Sequence, residues 1–252
     1  ALDRLCGRPD ALGLAVSGGS DSLAMLELAS RWAKARGVRL VCATVDHGLR
    51  PEAAEEARGV ARLSAARGVD HQTLVWRPDP ERRVSQATAR LARHRLLAQW
   101  ARAQGLSMLA LGHTADDRIE TFLMRLSAGS GWRGLAGPAP RAPSPAWPEG
   151  DGLTLVRPVL GESRRTLRHA LTRAGLAWTD DPSNADPRFL RVRARARCAA
   201  LSDPARAAAL SIMDRLLRLR AAMDGAARRA LEQAALTDHR LRLPREALEA
   251  LG

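Results

Sequence analysis

Four times within the first 127 residues, an apolar run of five to seven residues gives way to a longer stretch of helical pattern. Leu12–Val16 precedes Ser20–Arg36, Arg39–Val45 precedes Pro51–Arg67, Asp70–Trp76 precedes Val84–Gln104, and Ser107–Leu111 precedes Thr114–Ser127. Gly37, Gly68 and Gly105 fall just beyond three of the predicted helices, and Pro51 sits in the first turn of another, which is the usual punctuation of helix ends. Leu153–Val156 adds a fifth strand and Ser163–Gly175 a further helix. Alternation of this kind predicts an α/β fold, a mostly parallel five-stranded sheet with helices on both faces. Ligands of such sheets collect at the carboxyl ends of the strands.

The first strand ends in Ser17-Gly18-Gly19-Ser20-Asp21-Ser22. Two glycines at a strand-to-helix junction let backbone amides approach a polyphosphate closely, and the helix that follows adds unsatisfied N–H groups and the positive end of its dipole. The serines supply hydroxyls, and Asp21 a carboxylate within reach of a metal. No lysine follows, so this is not a Walker A loop.

Two further strand ends carry chemistry. After the fourth strand comes Gly112-His113-Thr114-Ala115-Asp116-Asp117-Arg118-Ile119-Glu120-Thr121, whose helical spacing lets one of the two aspartates share a face with Glu120. Carboxylates at a sheet edge hold Mg²⁺ against phosphates or accept a proton from an amine; an acidic helix start also complements the dipole. Asp46 and His47 close the second strand, followed by Gly48, Leu49 and Arg50. The long helix carries Arg90, Arg93, His94 and Arg95.

Composition narrows the partners. The 252 residues hold 40 basic and 27 acidic side chains, a net charge of +13, which suits a polyanion such as nucleic acid. Lys34 is the single lysine; an abundance of arginine and alanine fits a high-GC genome, but base composition does not explain the excess of basic over acidic groups. Cys6, Cys42 and Cys198 are far apart, which argues against a disulfide framework or a local zinc or iron–sulfur site. No stretch has the length of a membrane span and no signal-peptide pattern opens the chain, so a cytoplasmic protein is expected. From Gly129 to Gly152 the chain is rich in Gly and Pro, a composition of lids and binding loops. An arginine-dense stretch at Arg188–Arg197 and an amphipathic helix or helix pair from Pro204 to Ala235 follow, with a short tail at Leu241–Gly252.

Taken in order, S-G-G-S-D-S, D-H-G-L-R, A-R-x-x-R-H-R, G-H-T-A-D-D-x-x-E-T and S-G-x-R-G-L resemble the N-type ATP pyrophosphatases, the PP-loop superfamily, and most closely its tRNA(Ile)-lysidine synthetase family. Asp180–Asn184 (D-D-P-S-N) with Arg191 and Arg193 strengthens that match, which covers about residues 10 to 200. The resemblance implies an adenine nucleotide alpha hydrolase-like domain over residues 1–200. Residues 201–252 would then be a helical segment that is either a tRNA-contacting linker or the start of a further domain.

The resemblance also implies a ligase that joins L-lysine to carbon 2 of the wobble cytidine of tRNA(Ile) with a CAU anticodon, through an adenylated intermediate, converting ATP to AMP and pyrophosphate with Mg²⁺. In that family's pattern Ser17, Gly18, Gly19, Ser20, Asp21 and Ser22 bind ATP, with Asp46 and His47 lining the nucleotide pocket. Asp117, Glu120, His113 and Asp116 form the catalytic group, Asp21 and Asp117 hold the metal, and Arg133, Arg191 and Arg193 contact tRNA or phosphate. A homodimer is common among such relatives. The pattern is broken at Gly112, read as replacing a histidine, and at Val192, in place of an asparagine. A tRNA thiolase, or an amide-forming ligase for a small metabolite, is the alternative on the same scaffold. Thiolases usually bring paired cysteines, and the +13 charge favours tRNA over a metabolite.

Overall fold

A computed structural model of the chain describes residues 1–46, 48, 52–78, 85–179, 190–237, 240–242 and 244–246. His47, Leu49, Arg50 and Asp180–Asn184, singled out in the sequence, lie outside the described residues. The chain divides into two compact units, one of residues 1–117 and 139–187, the other of residues 118–138 and 188–252.

The first unit is the predicted α/β sheet. Strands β1 (Ala11–Ala15), β2 (Arg39–Asp46), β3 (Asp70–Val75), β4 (Met108–Leu111), β5 (Arg141–Pro143) and β6 (Thr154–Val156) lie in the order β3-β2-β1-β4-β6-β5. The five predicted strands are present and mutually parallel. The sixth, β5, runs antiparallel to β6 at one edge, inside the Gly/Pro-rich stretch. Pro143 cannot donate to a ladder, and an edge is where a strand tolerates that.

Side-chain alternation sends neighbouring residues to opposite faces, and each face has its own core. Leu12, Leu14 and Val16 of the β1 region pack with Cys42 of β2 and Ala110 of β4 on one face. Leu23 and Leu26 of α2 (Ser20–Arg36), Val60 of α3 (Glu52–Ala65) and Leu167 and Leu171 of α7 (Arg164–Arg173) complete that cluster. On the other face Ala15, Val41, Leu109 and Leu155 meet Leu97, Trp100 and Ala101 of α4 (Gln86–Ala103). Gly13 permits the second contact, since a Cβ there would stand 2.8 Å from Leu106 Cδ1 and 3.2 Å from Trp100. A short helix, α1 (Leu2–Cys6), precedes β1; five residues are too few for a periodic sequence signal.

α4 also carries His94, 8% exposed. Burial, and then the charges of Arg90, Arg93 and Arg157, lower its pKa to about 4. An unfolded histidine titrates near 6.5, so between these values the unfolded chain binds the extra proton. The stability from keeping this ring neutral is therefore present above pH 6.5 and is lost as pH falls toward 4. Going from pH 7 to pH 5 should cost about 2 kcal/mol through this group. Urea unfolding at the two pH values checks this, and His94→Gln should reduce the difference by that amount.

Helix α5 (Ala115–Ser127) spans the division between the units, which falls between Asp117 and Arg118. The second unit contains α6 (Trp132–Leu135), α8 (Leu190–Ala199), α9 (Asp203–Glu232) and a hairpin of β7 (Ala235–Thr237) and β8 (Arg240–Arg242). Where the sequence leaves a helix or a pair, α9 is one helix of 30 residues, capped by Ser202, whose side chain accepts from the Ala205 N–H. The hairpin takes up the expected end of the helix and part of the tail. A small apolar cluster of Ile119, Cys198 and Ala209, with Phe122, Leu123, Leu201 and Leu210 against it, forms the core of this unit. Among the described residues no helix is long and apolar enough to cross a membrane.

Candidate active site

The loop after β1 is held by its own hydroxyls. Ser22 Oγ accepts from the Ser17 N–H at 3.1 Å, lies 3.2 Å from Ser17 Oγ, and donates to the Gly19 carbonyl at 2.9 Å. Gly18 has φ +88°, a left-handed conformation that side chains resist, and Gly19 is the N-cap of α2. Ser17 stays exposed, while Ser20 and Ser22 are buried in the first turn of α2. Gly112, at the end of β4, borders the same turn. A Cβ there would lie 2.9 Å from Ser22 Cα and 3.1 Å from its nitrogen, so a histidine cannot occupy this position without moving backbone.

Asp117 is the third helical residue after Thr114, and the two cap each other. Asp117 Oδ2 accepts from the Thr114 N–H at 2.9 Å and from Thr114 Oγ1 at 3.0 Å, while the Asp117 N–H donates to Thr114 Oγ1 at 3.3 Å. This is a capping box with aspartate in place of glutamate. The other oxygen, Oδ1, faces Arg164 Nη2 at 3.4 Å, and Arg164 Nε donates to Asp21 Oδ2 at 3.0 Å. The Arg164 backbone N–H donates to Asp116 Oδ2 at 2.7 Å. One residue of α7 therefore gathers Asp21, Asp116 and Asp117. Burial pushes the Asp21 carboxyl up in pKa; Arg164 opposes this, and the charge of Asp117 adds to it. Arg168, one turn further, donates from Nε to Ser20 Oγ at 3.3 Å.

His113 borders this group. Arg157 Nε donates to His113 Nδ1 at 3.2 Å, so Nδ1 is an acceptor and the neutral ring carries its proton on Nε2. Burial leads in lowering the His113 pKa to about 3; Asp117 resists, and Arg157, Arg93 and Arg90 add to the drop. At neutral pH it is a hydrogen-bond donor without charge. Asp46 Oδ1 accepts from the Gly48 N–H at 2.8 Å, closing a turn after β2.

Magnesium prefers oxygen ligands, and proteins commonly give it one or two carboxylates, with phosphate and water filling the rest. Asp21 Oδ2 and Asp117 Oδ1 fit that donor set, since a single positive group, Arg164, already meets both. Among the described residues no cluster of three or more His, Cys, Asp or Glu is arranged as a complete protein-only metal cage.

In the second unit Glu120 is 1% exposed and is met by Arg191 Nε at 3.3 Å and Arg195 Nε at 3.2 Å, both from α8. Arg133 pairs with Asp224 at 2.8 Å and lies over Trp132, while Arg193 is exposed on α8. The sequence pointed to Asp21, Asp116, Asp117 and His113, which the first unit brings together; it missed Thr114, Arg157, Arg164, Arg168 and Arg195. The T-A-D-D spacing of a capping box and the two arginines opening α7, against the helix dipole, were the available signals.

A serine–glycine phosphate loop facing aspartates at the carboxyl edge of a parallel sheet defines a class of nucleotide-binding domain, and a family model described as a PP-loop domain matches residues 6–201. The chain belongs to that PP-loop family. Among its sequence relatives are the tRNA(Ile)-lysidine synthase of Hyphomonas neptunium, 49% identical over 225 residues, which are 89% of this chain and 59% of that one. The tRNA(Ile)-lysidine synthase of Rhodopseudomonas palustris is 52% identical over 187 residues, 73% of this chain and 52% of the relative. The chain thus spans between half and three-fifths of the length of these two relatives. A solved structure of the U34-tRNA thiolase NcsA from Methanococcus maripaludis shares the fold, with a TM-score of 0.70 at 16% identity, covering 86% of this chain and 76% of that one.

Proposed function

We propose that this protein is the ATP-using part of a tRNA(Ile)-lysidine synthetase, joining L-lysine to carbon 2 of the wobble cytidine of tRNA(Ile) bearing a CAU anticodon. The observation that carries the reading is the convergence of Asp21 of the Ser17–Ser22 loop and Asp117 on one cation, at the sheet edge where a PP-loop protein binds nucleotide. The names of relatives at about half identity supply the substrate.

The cytosine O2 attacks the α-phosphorus of ATP, and the bond to the β-phosphate breaks, releasing pyrophosphate. The lysine ε-amine then attacks carbon 2 and AMP leaves with the former carbonyl oxygen. The amides and hydroxyls of Ser17–Ser22 hold the phosphates in place. Mg²⁺ at Asp21 and Asp117 would supply charge neutralisation for the leaving pyrophosphate. The neutral His113 ring donates a hydrogen bond from Nε2 to developing negative charge. Free lysine is an ammonium at neutral pH and must lose one proton before it attacks and a second once the carbon–nitrogen bond forms, and the carboxylates Asp116, Asp117 and Glu120 are the acceptors proposed for them. Arg133, Arg191 and Arg193 are assigned to tRNA or phosphate, in keeping with the +13 charge.

The test incubates the protein with ATP, radiolabelled lysine and unmodified tRNA(Ile) of CAU anticodon. Label in the tRNA with AMP as product is expected. Formation of ADP, or tRNA left unlabelled while ATP is cleaved to AMP, would overturn the lysidine reading.

A further inference from the structure

Arg164 is the first residue of α7, a helix whose first turn contains no acidic side chain. A cation at that end opposes the macrodipole, so its place has another cause. The guanidinium reaches Asp21 at 3.0 Å on α2 and Asp117 at 3.4 Å on α5, its side chain only 18% exposed. Arg168 repeats the direction one turn on, against Ser20. α7 therefore delivers positive charge between the first turns of α2 and α5, where the carboxylates of Asp21 and Asp117 would otherwise repel each other.

We infer that Arg164 is a positioning residue that stands in the place of a divalent cation between Asp21 and Asp117, yielding both carboxylates when nucleotide brings the ion and turning its charge onto phosphate oxygens. This rests on the ATP reading above and adds an order to it. With the arginine in place, one of the two negative charges is already balanced, so the ion alone gains less by displacing it. The ion and the nucleotide together offer the arginine a new anionic partner, so they bind as a pair.

The experiment measures Mn²⁺ binding by electron paramagnetic resonance of the free ion, with and without an ATP analogue bridged by methylene between the α and β phosphates. Once the Mn²⁺ taken up by the analogue without protein is subtracted, wild-type protein should bind Mn²⁺ at least about tenfold more tightly with the analogue than without it. Arg164→Gln should raise the nucleotide-free Mn²⁺ affinity about tenfold, and Arg164→Lys, which keeps the charge but not the two-pronged reach, should raise it less. Equal Mn²⁺ affinity of the wild type with and without the analogue overturns the inference, as does Arg164→Gln behaving like wild type in the absence of nucleotide. If circular dichroism finds Arg164→Gln unfolded, Arg164→Met takes its place. Lysine transfer to tRNA is not among these readouts, so failure of the lysidine reading is seen separately, in the labelling assay.

Discussion

Asp117→Asn should leave the protein folded and lower turnover by about a thousandfold, the scale of losing one well-placed electrostatic group in an active site. The two oxygens of this carboxylate serve different ends. Oδ2 closes the capping box with Thr114, and an asparagine carbonyl keeps that bond. Oδ1 faces Arg164, and an amide NH₂ turned toward a guanidinium replaces attraction with two opposed donors. The helix start therefore survives while the charge at the site is lost. Thermal unfolding should move by no more than about 1 kcal/mol in equivalent stability, a typical net value for one hydrogen bond. Pyrophosphate release during ATP turnover is the kinetic readout. Wild-type rates in a folded Asp117→Asn protein would remove the residue from the proposed chemistry.

Gly112→Ala should weaken both the fold and the hold on nucleotide. The added methyl lies 2.9 Å from Ser22 Cα and 3.2 Å from the Asp21 carbonyl carbon, and neither atom can rotate away as a side chain would. Either β4 or the first turn of α2 must shift, and overpacking of this kind costs about 1–3 kcal/mol. The displaced turn is the one that carries Ser20, Asp21 and Ser22, so ATP affinity should fall about tenfold beside the loss in stability. Urea denaturation and nucleotide titration measure the two effects. An alanine variant with full stability and full ATP affinity would show that the contact is not tight.

Most of the sheet was legible because parallel strands covered on both faces read as unbroken apolar runs. Leu12–Val16 and Ser107–Leu111 are such runs, and both strands stand within a residue or so of where the pattern puts them. β5 was not legible: Arg-Ala-Pro has neither alternation nor an apolar run, and it is a strand only because β6 offers an edge to pair with. The hairpin after α9 is hidden for the same reason, since each of its strands has three residues.

At the site, the loop could be read from glycine and serine spacing, as their purpose is local. Arg164 could not, because its partners lie 143 and 47 residues away in sequence and only the folded sheet brings them near. Glu120 makes the same point differently. Helical spacing suggested that it shares a face with an aspartate, yet in space it meets Arg191 and Arg195, more than 70 residues further along.

The hydroxyl of Ser22 joins both ends of the loop, at the Ser17 N–H and the Gly19 carbonyl. Fixing one residue of a free chain costs about 1–2 kcal/mol in conformational entropy. For these residues that loss is incurred when the sheet forms, so the incoming nucleotide meets a preorganised cradle and its interaction energy goes into affinity.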